Sequence, residues 1–104
     1  MEQIKHKEEL DDAISQDGLT IVKVGASWCQ PCKMLERTIT DIEPTVENVK
    51  FYEIDVDDVD ESVIDGYQIQ SVPVLLFFNE GLVVDRVLGN IPKSMLLDKI
   101  EKNK

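Results

Sequence analysis

The stretch from 27 to 33 reads Ser27-Trp28-Cys29-Gln30-Pro31-Cys32-Lys33 and contains both cysteines and the only tryptophan of the chain. An apolar run from Leu19 to Ala26 precedes it, and an apolar stripe at helical spacing follows it. Two cysteines separated by two residues can close a small disulfide ring and open it again. A strand-to-helix junction makes such a pair reactive, because the N-terminus of a helix favours a thiolate. The stretch therefore indicates thiol–disulfide redox chemistry.

The two cysteines are predicted to have different roles. Cys29 lies at the start of the predicted helix, where its sulfur can face unpaired N–H groups, including that of Cys32. Pro31 offers no N–H, but its ring fixes φ near a helical value. These features predict a Cys29 pKa below the ~8.5 of a free thiol and make Cys29 the attacking nucleophile. Cys32, one turn further into the helix, is expected to be more shielded and to resolve the mixed disulfide.

Length and composition set the class of protein. A chain of 104 residues with 42% hydrophobic residues suits one compact domain, residues 1–104. The formal net charge of −10 disfavours nucleic-acid binding and favours either solubility or steering toward a basic partner surface. The opening residues lack the apolar segment of a signal peptide, and no apolar run approaches the roughly 20 residues of a membrane span. We therefore expect a cytoplasmic monomer that has no membrane segment.

No metal or cofactor is expected in a single chain. Two cysteines and one distant histidine, His6, are too few for the usual four ligands of a structural zinc site. The acidic stretch from 55 to 61 lacks the glycine and glutamate that an EF-hand loop needs, so we interpret it as a solvated loop. An iron–sulfur cluster shared between two chains, each supplying its two cysteines, remains an alternative.

The hydrophobic pattern predicts the order β-α-β-α-β-α-β-β-α. Parallel strands with crossover helices are expected first, and an antiparallel hairpin around Asn79-Glu80-Gly81 last. The predicted strands are a short one at Ile4 and then Leu19 to Ala26, Phe51 to Val56, Val72 to Phe78 and Leu82 to Leu88.

Four helices are expected between these strands. The first spans Glu8 to Asp17 and is capped by Gly18. The second follows the cysteines and is interrupted late by Pro44. The third begins at a capping box formed by Asp58 and Glu61, and the fourth begins near Pro92 with Asn90 as its cap. The apolar stripe of the second helix comprises Leu35, Ile39, Ile42, Val46 and Val49.

The motif resembles that of the thioredoxin family over essentially the whole chain. The segment from Trp28 to Lys33 matches the family's Trp-Cys-Gly-Pro-Cys-Lys pattern except for Gln30 in the glycine position. Pro73, 44 positions after Cys29, matches the family's cis-proline, and Gly81 and Gly89 match two later glycines. The resemblance implies an α/β thioredoxin fold, with a central mixed β-sheet and helices on both faces. It also implies a protein-disulfide reductase that acts as an electron carrier in cell redox homeostasis.

The resemblance further implies how substrates bind. A cis bond before Pro73 places the backbone of Val72 beside the active disulfide, where its N–H and C=O pair with a substrate chain. Trp28 flanks the site and joins Val72 in an apolar docking surface, unless it is simply packed in the core. The implied partners are disulfide-containing proteins and a thioredoxin-reductase-type electron donor, and turnover needs no bound cofactor.

Four positions in or near the motif depart from the family or vary within it. Lys23 stands where the family has a buried aspartate, and it either extends its amine to water or modulates the cysteines, as an ammonium or as a neutral base. Gly25 replaces a common aromatic residue, which should open the packing beneath the motif. Gln30 and Pro31 form the dipeptide between the cysteines, which in this family influences the redox potential. These departures keep open an alternative, a thioredoxin-fold binding or scaffold subunit with secondary redox activity.

Overall fold

The computed structural model describes residues 1–104. Five strands and four helices follow one another in the predicted order, with one 3₁₀ turn at Glu43–Thr45. The strands are β1 (Glu2–Gln3), β2 (Leu19–Gly25), β3 (Val49–Asp55), β4 (Val74–Asn79) and β5 (Leu82–Leu88). The helices are α1 (Lys7–Ile14), α2 (Gln30–Ile42), α3 (Glu61–Gly66) and α4 (Lys93–Asn103).

The strands form one mixed sheet in the order β1-β3-β2-β4-β5. The strands β1, β3 and β2 are parallel, whereas β4 is antiparallel to both β2 and β5. Because β2 lies at the centre and is covered on both faces, all seven of its residues are buried. β4 and β5 form the late antiparallel hairpin that the sequence predicted, and the sheet is mixed, as expected.

Helices cover both faces of the sheet, as the resemblance implied. On one face, Leu10 of α1 and Val63 of α3 belong to a core that includes Val22 of β2. On the other face, Leu35 of α2 belongs to a second core, with Ile21 of β2 and residues of α4. Side chains alternate between faces along a strand, so Lys23 and Gly25 lie on the α2 side together with Ile21.

Helix α2 ends where Pro44 predicted an interruption. It ends at Ile42, and the 3₁₀ turn that contains Pro44 follows directly. The prediction that Val46 and Val49 continue the helical stripe is wrong, since Val49 is the first residue of β3. Both valines nevertheless pack against the α2 core, so their three-and-four spacing reflects burial and not a continuous helix.

Several predicted helix ends are shifted by a few residues. Helix α1 ends at Ile14, so Gly18 is not its cap. Gly18 lies in the turn into β2 with φ +86°, and a Cβ there would lie only 2.9 Å from the carbonyl oxygen of Asn48. The N-cap of α3 is Asp60 and not Asp58, and the N-cap of α4 is Pro92 and not Asn90.

The first strand pairs at the edge of the sheet beside β3. β1 covers only Glu2–Gln3, one residue before the predicted position. The Ile4 N–H still donates to the carbonyl of Glu53 at 2.8 Å, so Ile4 continues the pairing and buries its side chain.

Candidate active site

The two cysteines lie at the N-terminus of α2, directly after the loop that leaves β2. Cys29 is the N-cap residue, with an extended backbone, and its sulfur is bonded to that of Cys32. The Cys32 N–H donates to the Cys29 sulfur at 3.2 Å, which confirms the expected contact between the sulfur and the helix N-terminus. Cys29 is 6% exposed and Cys32 only 1%, so Cys32 is the more shielded. Gln30 and Pro31 are exposed on the first turn between them.

Pro73 directly precedes β4, and its neighbour Val72 packs against the cluster that contains both cysteines. The bond between Val72 and Pro73 is cis, as the resemblance implied. The Pro73 carbonyl accepts the Gly89 N–H at 2.8 Å, which fixes the start of β4 to the end of β5. The N–H and C=O of Val72 take part in no hydrogen bond within the chain.

An apolar groove of about 270 Å³ extends along the same side of the molecule. Val72 and Trp28 lie on it together with Val56, Ile64 and Ile69. Trp28 is 69% exposed, so the interpretation of this residue as part of the packed core is wrong. The groove presents apolar side chains next to the free backbone groups of Val72.

Trp28 is held in place by Asp57, a residue that the sequence interpretation missed. The indole Nε1–H donates to Asp57 Oδ2 at 2.9 Å. Asp57 in turn donates its own N–H to a carboxylate oxygen of Asp55 at 2.9 Å. The acidic stretch therefore orients the indole at the mouth of the groove and is more than a solvated loop. The clustering of acids after β3 was the signal, but a single sequence does not show which acid meets the tryptophan.

Lys23 lies behind the disulfide with its ammonium inside the molecule. Its side chain is only 5% exposed, so the interpretation in which the amine extends to water is wrong. Its Nζ lies 3.4 Å from Glu53 Oε2 and 3.8 Å from Glu36 Oε2. The parallel register places Lys23 directly beside Glu53, and Gln3 Nε2 donates to the other Glu53 oxygen at 2.7 Å. Glu36 and Glu53 are site residues that the sequence interpretation also missed.

A cavity of about 450 Å³ adjoins Lys23 and the disulfide. Its lining includes Gly25, Cys32, Glu36 and Glu53. A Cβ at Gly25 would lie 3.2 Å from Cys32 Sγ and 3.5 Å from Lys23 Cε. Gly25 therefore lines an open cavity, as expected, but the position of its absent Cβ is too close to Cys32 for an ordinary contact.

No group of three or more histidine, cysteine or acidic side chains is placed to hold a metal ion. None of the helices has the length and apolar character to cross a membrane.

A protein-family model and known relatives match this chain over nearly its whole length. The family model described as thioredoxin matches residues 2–102. The chain belongs to the thioredoxin family. A thioredoxin of Mycoplasmoides gallisepticum is 33% identical over 101 residues, which cover 97% of this chain and 100% of the relative. Thioredoxin-1 of Saccharomyces cerevisiae is 36% identical over 93 residues, 89% of each chain.

Solved thioredoxins have the same fold. The structure of Plasmodium falciparum thioredoxin superposes with a TM-score of 0.89 at 33% identity, covering 100% of both chains. That of Fasciola hepatica thioredoxin gives a TM-score of 0.90 at 25% identity, again over 100% of both. The thioredoxin fold is therefore confirmed. Family membership and a cysteine pair at disulfide distance establish this thioredoxin-family chain as a thiol–disulfide oxidoreductase.

Proposed function

We propose that this oxidoreductase reduces disulfide bonds of other proteins as one domain, residues 1–104, with Cys29 as nucleophile and Cys32 as resolving residue. The observation that carries the assignment is the Cys29 sulfur at the N-terminus of α2, where it accepts the Cys32 N–H at 3.2 Å. In the reduced protein, this N–H and the helix dipole stabilise a thiolate on Cys29. Cys29 is also the less buried of the two, so a substrate reaches it first.

The reaction runs through two thiol–disulfide exchanges. The Cys29 thiolate attacks one sulfur of the substrate disulfide, forms a mixed disulfide and releases the other substrate sulfur as a thiolate. The Cys32 thiolate then attacks the Cys29 sulfur and releases the second substrate thiolate. Two electrons pass to the substrate, and the Cys29–Cys32 disulfide remains in the protein.

Substrate binding is assigned to the surface beside the disulfide. The free N–H and C=O of Val72 suit strand-like pairing with an extended substrate segment. The exposed Trp28 and the apolar groove next to it suit apolar side chains of that segment. Pro73 fixes the start of β4, which keeps Val72 in place.

The oxidised protein needs a source of electrons. By analogy with the family, we assign this role to a reductase of the thioredoxin-reductase type, supplied by NADPH or ferredoxin. The proposed setting is a cytoplasmic monomer that carries electrons and maintains cell redox homeostasis, with Gln30 and Pro31 tuning its potential. Family membership is the support for these assignments.

Single-cysteine variants test the mechanism. Purified protein should reduce insulin disulfides with dithiothreitol as electron source. Cys32→Ser should accumulate a covalent mixed disulfide through Cys29, because the resolving thiol is missing. Cys29→Ser should form none and should lose activity by several orders of magnitude. Insulin reduction that is insensitive to both changes would overturn the proposal.

The same proteins separate the alternatives. A scaffold subunit would bind its partner equally well after both cysteines were replaced by serine. An iron–sulfur cluster shared between two chains would give visible absorbance that is lost in either single variant. Under the proposed function, partner capture requires Cys29 and the purified protein is colourless.

A further inference from the structure

Lys23 is the only charged residue that is buried in this fold. Burying an ammonium is costly unless it is paired, and its two carboxylate partners provide that pairing. Glu53 is itself only 17% exposed and is fixed by Gln3, whereas Glu36 is 50% exposed on α2 and lies further away. Both carboxylates lie within ion-pair distance of the Lys23 Nζ.

The ammonium and the resolving cysteine share one cavity. Cys32 and Lys23 both line it, and the position of a Gly25 Cβ lies 3.2 Å from Cys32 Sγ and 3.5 Å from Lys23 Cε. Other charged side chains that line the cavity are Lys33 and Glu36 from α2 and Glu53 and Asp55 from β3. Of the two lysines, Lys23 is the buried one, so bulk water screens its charge least.

We propose that Lys23 is a positioning residue that stabilises the Cys32 thiolate, and that Glu53 limits this effect by neutralising part of its charge. The proposal rests on the proposed function, in which Cys32 must be a thiolate to resolve the mixed disulfide. Stabilising that thiolate favours the dithiol form, so Lys23 makes the protein a weaker reductant than it would otherwise be. The Glu53–Lys23 pair thereby sets the redox poise of the cysteines.

The thiolate of Cys32 can be titrated alone in a Cys29→Ser background, by ultraviolet absorbance. Adding Lys23→Met should move the titration midpoint upward by at least about half a pH unit, because a cation is lost and two carboxylates remain. Adding Glu53→Gln should move it downward, because the lysine is then less neutralised. Lys50→Met, which removes the same charge from an exposed position of β3, should leave it unchanged.

The redox equilibrium is measured with both cysteines present, in glutathione buffers. Lys23→Met should shift the equilibrium at least about threefold toward the disulfide, and Glu53→Gln should shift it toward the dithiol. A tenfold shift corresponds to about 30 mV for this two-electron couple. Shifts of opposite sign in the two variants distinguish an electrostatic role from a structural one, because loss of packing would not shift the redox equilibrium in opposite directions.

A double variant guards against misfolding of the single ones. The double variant Lys23→Met with Glu53→Gln removes both charges of the buried pair, so neither charge is left without its partner. The midpoint of its Cys32 titration should fall between those of the two single variants. Unchanged midpoints in all three variants, or shifts of the same sign in both single variants, would overturn the proposal. Failure of the parent protein to reduce insulin would instead overturn the proposed function, because the Cys32 titration does not depend on it.

Discussion

At the scale of single residues, Gly25 determines how closely the central strand approaches the disulfide. Any side chain at this position would enter the space between Lys23 and Cys32. β2 is hydrogen-bonded on both sides, by β3 and by β4, so its backbone cannot easily move away. The missing Cβ at Gly25 therefore lets the Cys32 side chain approach a strand that is held in place from both sides.

Gly25→Ala should lower the free energy of unfolding by about 1–3 kcal/mol, the usual cost of overpacking a core position. The added Cβ would lie 3.2 Å from both Cys32 Cβ and Cys32 Sγ, tighter than ordinary contact. Urea denaturation of the oxidised protein measures the change. Gly66→Ala is the matched control, because nothing lies within 4 Å of its Cβ position, and it should be neutral or slightly stabilising. Equal unfolding midpoints for Gly25→Ala and the parent would contradict this account.

Among the site residues, the cysteine chemistry could be predicted from the sequence and the surroundings of Lys23 could not. The contact between the Cys29 sulfur and the Cys32 N–H depends on residues three apart in one helix turn, so local rules suffice. The pairing of Lys23 with Glu53 links residues 30 apart and depends on the register of two strands. A slip of one residue would turn Glu53 to the opposite face, and no local pattern determines that register.

At the scale of elements, Asp60 joins the start of α1 to the start of α3. It is the N-cap residue of α3, yet its side chain accepts the Lys7 N–H at the start of α1, at 2.9 Å. Its own N–H donates to the Lys5 carbonyl at 3.0 Å. The Lys7 N–H, followed by the His6 side chain, holds the pKa of Asp60 below its ordinary value.

A lowered carboxyl pKa predicts how the stability of this junction depends on pH. The folded pKa lies below the unfolded one, so the contribution is fully present above the ordinary value of 3.8 and is lost as pH falls through the folded pKa. Asp60→Asn should therefore be less stable than the parent near neutral pH, and the difference should shrink in acid. Urea titrations over a pH series check this, with exposed Asp98→Asn as control. A difference that stays constant from neutral pH into acid would contradict it.

Element types could be predicted well, whereas several element ends could not. The continuous apolar run of β2 and the Glu80-Gly81 turn, whose two residues both have positive φ, gave reliable signals. Val49 was misassigned because a partly buried residue at the start of a strand can continue the spacing of a helix stripe. The cap of α3 was misassigned because several acids near its start could each cap it, and the choice of Asp60 depends on α1, distant in sequence.

At the scale of the whole molecule, the net charge of −10 forms a long-range field that any partner meets before contact. Aspartates also lie close to the site, since Asp57 is bonded to the exposed indole of Trp28. Substrates that carry positive charge near their disulfide should therefore approach faster than negatively charged ones.

Two model peptides with the same disulfide test this effect, one flanked by lysines and the other by glutamates. The lysine peptide should be reduced several-fold faster at low ionic strength. The rate ratio should fall toward one as salt is added, because the Debye length falls from about 30 Å at 0.01 M to about 3 Å at 1 M. Stopped-flow fluorescence of Trp28 can report the rates. A ratio that does not change with salt would attribute the preference to contacts in the groove.

The hairpin turn at Glu80-Gly81 lies at the end of the sheet away from the chemistry. In the register of β2 and β4, Val74 pairs with Val24 near the disulfide, whereas Asn79 pairs with Leu19 at the opposite end. Nothing lies within 4 Å of the position of a Gly81 Cβ. This turn is therefore a natural point of attachment: an affinity tag, a fluorophore or a linker to a bead or electrode placed there would leave the reactive end facing solution.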